Sequence, residues 1–281
     1  KIINSFKTKQ SVLLHEYEGR FIPTGIKLRI QTTPLSDYCN VFNGLNPGNV
    51  KDVLLSKEKL TSKYRKMVVG KDIQHYSLNW SGTWVNYDPS LKNKLTTADI
   101  KSKAGMTAQN KVDFALRDEE IYLGEKIIVR KTADHIVATY DESEFYYDSL
   151  SYGIKNKKTT SVSIFFILGV LNSKLLNFFH DGFSDNKEKV FAKVLATNLS
   201  KLPFPKIDLK NKIERKRHDE IVDNVKQILS LNSQLKQEKL SNKRNQIVAK
   251  AEHCEEKVDQ LVYDLYKVTP EEIKIIEASI K

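Results

Sequence analysis

The sequence is poor in several things that would mark common function classes. Among 281 residues there are two cysteines, Cys39 and Cys254, far apart in the chain. They cannot form a cysteine framework, and two thiols suit a reducing cytoplasm. The six histidines are scattered without ligand spacing, which argues against structural zinc. The longest nearly uncharged apolar run, SVSIFFILGVLNS at 161–173, is too short to span a bilayer. No secretory signal is visible, and the chain opens on Lys1 without a Met, so we expect a piece of something longer. A phosphate-cradling GxxxxGK[ST], a GxGxxG after a strand, an HExxH and a GxSxG are all missing. So are repeats of 20–50 residues.

What is present is a globular composition with excess positive charge. Hydrophobic residues make up 40% and charged residues 29%, and the formal net charge is +11. That surplus favours an anionic partner: nucleic acid, an acidic membrane or an acidic protein. It is unevenly placed. Residues 1–211 carry 32 Lys+Arg against 22 Asp+Glu, whereas residues 212–281 carry 14 against 13. Aromatics follow the same division, with only Tyr263 and Tyr266 beyond position 211. A basic, aromatic-rich body is followed by a near-neutral tail.

The body reads as β-rich. SVLL at 11–14, RFI at 20–22 and the alternating GIKLRIQT at 25–32 predict short strands, with Pro34 ending the last. FNGLNPGN at 42–49 is turn-dense. KMVVGKDI at 66–73 predicts a strand entering a turn, and Trp84, Val85 and Tyr87 a short extended run. A short helix is expected somewhere in 109–122. KIIVRKT at 126–132 and HIVATYD at 135–141 predict a hairpin, and 144–154 continues the β-rich section. From 161 to 180 the apolar spacing becomes helical, predicting one buried helix. Pro203 and Pro205 mark an extended exit. Beyond about 212 the i, i+3/i+4 pattern predicts two long helices split by a polar turn, LSNKRNQ at 240–246. Thr269-Pro270-Glu271-Glu272 is a capping box opening a last short helix.

Carboxylate chemistry has little support. The nearest approach to a metal-holding nuclease pattern is Asp208 with Glu214 and Lys216, at a proline-led linker with no strand to display it. Glu255-x-Lys257 lies on the tail and reads as a solvated face. Asn46-Pro47-Gly48 has neither the second Pro nor the stacking aromatic of an Asn-Pro-Pro-aromatic loop, so it reads as a turn.

Three polar segments suit nucleic acid. GKDIQHYSLNW at 70–80 groups Lys71, Gln74, His75, Tyr76, Asn79 and Trp80, and amides and cations are the side chains that pair with base edges. VRKT at 129–132 adds Arg130, Lys131 and Thr132. IKNKK at 154–158 adds Lys155, Asn156, Lys157 and Lys158, which suit phosphates. Each segment alone reads equally as a solvated loop with core aromatics. These thirteen residues are the candidate DNA-binding set.

The same segments carry a family resemblance. GKDIQHYSLNWSGTWVNYDP at 70–89, EKIIVRKT at 125–132, SLSYGI at 149–154, ILGVLNSKLLNFF at 167–179, LSKLPFPKI at 199–207 and VDQLVYDLYKVTPEEIKIIE at 258–277 occur in this order. Together, from about Ser36 to Glu277, they resemble the C-terminal target recognition region of TaqI-like and Eco57I-like DNA methyltransferases, a group that includes fused type II restriction–modification enzymes. The resemblance implies a domain that reads a short DNA sequence for an adenine-N6 methyltransferase using S-adenosylmethionine. The family's catalytic and cofactor motifs precede the recognition region and are not in this chain. Base-reading residues change with target, so no specificity carries over. Specificity subunits of type I restriction systems similarly join recognition domains to helices that space and dock.

The expected fold is α+β: a β-rich recognition domain with a buried helix, then a helical extension. The expected division is 1–35 as linker or end of a missing methyltransferase domain, 36–206 as target recognition domain and 207–281 as helical spacer or docking region. The expected function is a sequence-specific double-stranded DNA recognition module with no catalytic motif or cofactor of its own, cytoplasmic, and partnered by a methyltransferase or endonuclease domain. The alternative is a docking subunit that binds a separate methyltransferase or restriction subunit with weak DNA affinity alone. The first reading requires the cations of the body to converge on one face.

Overall fold

The computed structural model describes residues 26, 28–100, 111–183 and 193–279. The expected strands at 11–14 and 20–22 lie outside them. The chain divides into two compact units, one formed by 39–158 and the other by 1–38 with 159–281. Compactness therefore cuts the chain at different places from the boundaries 35/36 and 206/207 drawn on the sequence.

Unit 39–158 is built on two four-stranded sheets. In the first, β2 (Cys39–Asn43), β11 (Ser151–Asn156), β8 (Lys126–Arg130) and β9 (Ala138–Asp141) pair antiparallel in that order. The expected hairpin is β8–β9, with a longer connection than Ala133-Asp134 alone. Strand β8 is central, and Lys126 to Val129 are all buried, so it reads as a continuous apolar run instead of an alternating one. The second sheet has β10 (Tyr146–Tyr147), β4 (Tyr64–Val68), β7 (Thr83–Asn86) and β3 (Leu55–Ser56), with β10 and β4 parallel. A two-residue hairpin joins β5 (Ile73–Gln74) to β6 (Ser77–Leu78). Two short helices, α2 (Lys51–Leu54) and α3 (Leu91–Lys94), lie in the connections.

The core of this unit is dominated by tyrosine. Tyr122 stacks on Tyr146 at 4.2 Å, and Tyr87 meets both rings edge-on. Such pairs contribute about 0.5–1.5 kcal/mol each beyond the area they bury. Their hydroxyls all reach one stretch of backbone or its side chains. Tyr122 donates to the Leu116 carbonyl, Tyr87 to that of Arg117, Tyr147 to that of Ile121 and Tyr146 to the Glu119 carboxylate. This corrects the helix expected in 109–122. Over the described part, only Glu119–Ile121 forms a helical (3-10) turn. Asn46 and Ala115 exchange two backbone hydrogen bonds of 2.7 Å, and Arg117 has φ 64°. Tertiary partners for the carbonyls outcompete the helical ladder that the residue pattern favours. Asn46-Pro47-Gly48 is a turn, as expected: Gly48 has φ 51° and its N–H donates to the Asn46 side chain.

The other unit is mainly helical. Strand β1 (Thr32–Pro34) pairs antiparallel with β12 (Pro203–Pro205). Pro34 ends this strand, as expected, but the strand starts only at Thr32, and residues 28–31 are not extended strand as GIKLRIQT suggested. Helix α1 (Leu35–Tyr38) follows β1, and α6 (Ala196–Lys201) precedes β12. The single buried helix expected over 161–180 is two: α4 (Ile164–Asn172) and α5 (Lys174–Phe183). Ser173 breaks them. Its hydroxyl donates to the Val170 carbonyl and accepts from the Leu176 N–H, ending one helix and capping the next. Gly169 lets α4 approach α7 (Lys212–Gln237), since a methyl group there would fall 2.8 Å from Ile221 and Val225. Helix α8 (Ser241–Tyr266) packs along α7, and the link between them is only 238–240. Most of LSNKRNQ, expected as a turn, is the first part of α8. Thr269 and Glu272 form the expected reciprocal cap on α9 (Pro270–Ser279). Among the described residues no helix is long and apolar enough to cross a membrane.

Candidate functional site

All thirteen candidate residues lie in unit 39–158, and the structure sorts them into two groups at opposite ends of strand β11. At its first residue, Ser151 pairs with Arg130, the last residue of β8. The Lys131 N–H donates to the Leu150 carbonyl at 2.8 Å. A methyl group at Gly70 would sit 3.6 Å from Leu150 and 3.7 Å from the Thr132 hydroxyl, so the 70s loop touches the 130s loop here. The β5–β6 hairpin packs on β8 and β9, with the Tyr76 N–H donating to the Ala138 carbonyl. Two of the three polar segments therefore meet at one rim.

The rim is held rigidly from beneath. Buried Asp72 accepts from the Val69 N–H and the Ser81 hydroxyl, while its carbonyl accepts from the Asn79 N–H. Buried Asp148 accepts from the Leu150 N–H and the Ser151 hydroxyl. Burial, with the Asp72 carboxylate nearby, pushes the Asp148 carboxyl up to about 6. The rim presents exposed Lys71, Gln74 and Asn79 and half-buried His75, Arg130, Lys131 and Thr132. The Gln74 amide bonds back to the Lys71 carbonyl, and the Lys131 ammonium leans over the Tyr152 ring. The Arg130 Nε is buried without a hydrogen-bond partner among the described residues.

Two aromatics of this set are structural. Tyr76 is 2% exposed, holds φ 52° in the hairpin turn and meets His75 edge-on, so it supports the rim and does not project from it. The Trp80 indole donates to the Met67 and Thr83 carbonyls and packs on the core.

The third segment is not brought to the rim. Lys155 lies about 13 Å further along β11 at 3.3 Å per residue. Its ammonium donates to the Glu120 and Leu123 carbonyls at 2.7 and 2.8 Å. The Asn156 side chain accepts from the Cys39 thiol, which burial raises to about 12 despite nearby Lys157. Lys158 is exposed where the chain leaves the unit. At this same end, fully buried Lys126 pairs with Asp141 at 2.6 Å and donates to the Tyr122 carbonyl. The single face expected from the sequence thus becomes a rim of presented groups and, at the far end, a segment in which Lys155 holds a loop while Lys158 stays exposed.

Sequence reasoning missed two features. Leu150, 46% exposed, stands at the centre of the rim, and only its place in SLSYGI marked the segment. On the second sheet, Lys66 sits 5.0 Å over the Trp80 ring and Lys59 5.9 Å over Trp84. The alternation in YRKMV and TWVN was the available signal. The carboxylates of the nuclease-like pattern have local duties: Glu214 accepts from the Asp208 N–H and Lys216 pairs with Glu220. Among the described residues no group of side chains could hold a metal ion.

The fold is that of an α+β specificity domain with several antiparallel sheets and a helical extension, α7 to α9. Residues 65–204 match the family described as the TaqI-like C-terminal specificity domain, so this part of the chain is a specificity domain like those of that family. The match is narrower than the resemblance read from 36 to 277, and the DLY…EEI ending lies outside it. Among solved structures the chain is similar to MmeI, a Type IIL restriction–modification enzyme solved in complex with DNA. The TM-score is 0.53 at 15% identity over 89% of this chain. The chain spans 36% of that protein's length. No curated protein matches the sequence.

Proposed function

We propose that this chain is the sequence-specific double-stranded DNA recognition module of a restriction–modification DNA methyltransferase, adenine-N6-specific in its parent enzyme. The observation that carries this reading is the meeting of the 70s and 130s loops at Gly70, Thr132 and Leu150. It gathers Lys71, Gln74, Asn79, Arg130 and Thr132, the cationic, amide and hydroxyl groups that read base edges and position phosphates. A match to a specificity-domain family and a fold shared with a DNA-bound enzyme support it. S-adenosylmethionine would be held by the catalytic domain of the parent, and we assign no residue of this chain to it. The recognition role belongs to 36–206, with 207–281 as spacer and docking region, in a cytoplasmic enzyme.

The test is titration against a random-sequence duplex at several salt concentrations, followed by selection from a random duplex library. Neutralising about six phosphates gives a log–log salt slope near −5. Affinity indifferent to salt, or a library that returns no preferred sequence, refutes the reading. The docking-subunit alternative predicts co-purification with a modification subunit and no gel shift without it.

A further inference from the structure

The near-neutral charge of the C-terminal helices conceals a separation along their length. Residues 212–231 carry five Lys+Arg and four Asp+Glu, and residues 251–281 carry four and eight. Between them, residues 232–250 carry five Lys+Arg (Lys236, Lys239, Lys243, Arg244 and Lys250) and one acid, Glu238. In the structure this middle stretch is one object, the end of the α7–α8 hairpin.

That end stands clear of its own bundle. The last buried residue of α7 is Leu231 and the first of α8 is Ala251. Ten residues of α8 before Ala251 span about 15 Å at 1.5 Å per residue. Every one except Ile247 is exposed. The turn itself is well built. Arg244 donates to the Leu235 and Glu238 carbonyls at 2.7 and 2.8 Å, closing the end of α7, and the Glu238 carboxylate accepts from the Lys239 and Leu240 N–H groups.

A solvated helical surface mixes charge signs, as α7 does nearer the bundle with its Lys216–Glu220 pair. Here no acidic residue stands three or four positions from Lys239, Lys243 or Lys250, and the one acid of the stretch, Glu238, whose carboxyl the Leu240 N–H and the nearby Lys243 and Arg244 charges help hold low, faces two cations. Lys243 and Lys250 are seven residues apart, two turns, and share one face with Gln246 between them. Like charges so placed repel one another, and an array of phosphates relieves that repulsion.

We propose that the exposed end of the α7–α8 hairpin is a second DNA contact, binding backbone phosphates without reading sequence. The inference rests on the DNA-recognition reading and adds to it a contact outside unit 39–158. Lys239, Lys243 and Lys250 make the contact, and Arg244 holds the turn.

The test uses the full chain carrying Lys239→Glu, Lys243→Glu and Lys250→Glu together, titrated against a random-sequence duplex between 50 and 300 mM salt. The expected result is a salt slope smaller by about 2–3 and an affinity at least ~10-fold weaker at 100 mM. The sequence preference returned by library selection should be unchanged. If the charge reversals reduce helicity, the triple Lys→Gln variant replaces them, with a slope smaller by about 2. A slope and affinity equal to those of the unaltered chain, alongside a clear loss in a Lys71→Ala, Arg130→Ala variant, overturn the hairpin contact and leave the recognition reading standing. Absence of salt-dependent binding by the unaltered chain overturns both. Unchanged DNA binding with lost association to a methyltransferase subunit assigns the hairpin end to protein docking and overturns the proposal.

Discussion

The two ends of strand β11 carry nearly the same chemistry to opposite purposes. At the Ser151 end, Arg130, Lys131 and Thr132 meet the Lys71 loop around an exposed Leu150. At the Asn156 end, Lys126 and Lys155 give their ammonium groups to backbone carbonyls of the 120–124 turn and to Asp141. A lysine whose donors are satisfied by carbonyls has little left for a ligand, whereas Lys71 on the rim is exposed. Composition cannot separate these roles, because VRKT and IKNKK are both basic and polar. What separates them is which loop folds over the strand end.

Five measurements strain this contrast, beginning with the largest effect. Lys126→Ala leaves the Asp141 carboxylate buried without its cation and should destabilise the chain by about 3–5 kcal/mol in denaturant unfolding. A loss below about 1 kcal/mol would mean that this end is not a structural clamp. At the other end, the Asp148 carboxyl is raised to about 6, so its contribution to stability is complete below about pH 4 and is lost as pH rises through about 6. The ordinary value of 3.8 makes that loss about 2–3 kcal/mol. Asp148→Asn should therefore gain stability relative to the unaltered chain at pH 8 and lose that advantage at pH 4. Parallel pH profiles would show that Asp148 is not buried as described.

Binding separates the ends more directly. Arg130→Ala or Lys71→Ala should weaken duplex binding by roughly 10-fold or more, which corresponds to about 1.4 kcal/mol. Lys155→Ala should change binding by less than about 2-fold while costing about 1 kcal/mol of stability. Equal binding losses at both ends would erase the distinction. Lys274→Ala, on exposed α9, should alter stability by less than about 0.5 kcal/mol and leave affinity unchanged. A binding loss as large as that of Arg130→Ala would remove the rim from its role.

Much of the architecture was legible because local chemistry and tertiary context agreed. The β8–β9 hairpin, the Thr269 cap and the long helices α7 and α8 all carry their own periodicity or capping residues. The failures share a cause. The stretch 109–122 is expected to hold a helix, but adjacent Tyr122 and the more distant Tyr87, Tyr146 and Tyr147 claim its carbonyls or its Glu119 side chain. Ser173 carried a capping signal that an apolar helical pattern on both sides obscured. GIKLRIQT alternates like a strand, yet only Thr32–Pro34 is paired, against Pro203–Pro205, and in this two-stranded sheet no proline is asked for a donor in a central strand.

For the site, the sequence by itself determined the ingredients: a basic, aromatic body, three polar segments and a family order of motifs. Side-chain type and local spacing are enough for that, since charge, hydrogen-bonding capacity and periodicity are properties of neighbours along the chain. It is the folded chain that brings two of the segments to one rim, turns Lys155 of the third to loop anchoring and places Tyr76 and Trp80 in the interior. Those outcomes depend on strand register. A pairing such as Ser151 with Arg130 sets residues 21 positions apart side by side, and no short-range pattern records it.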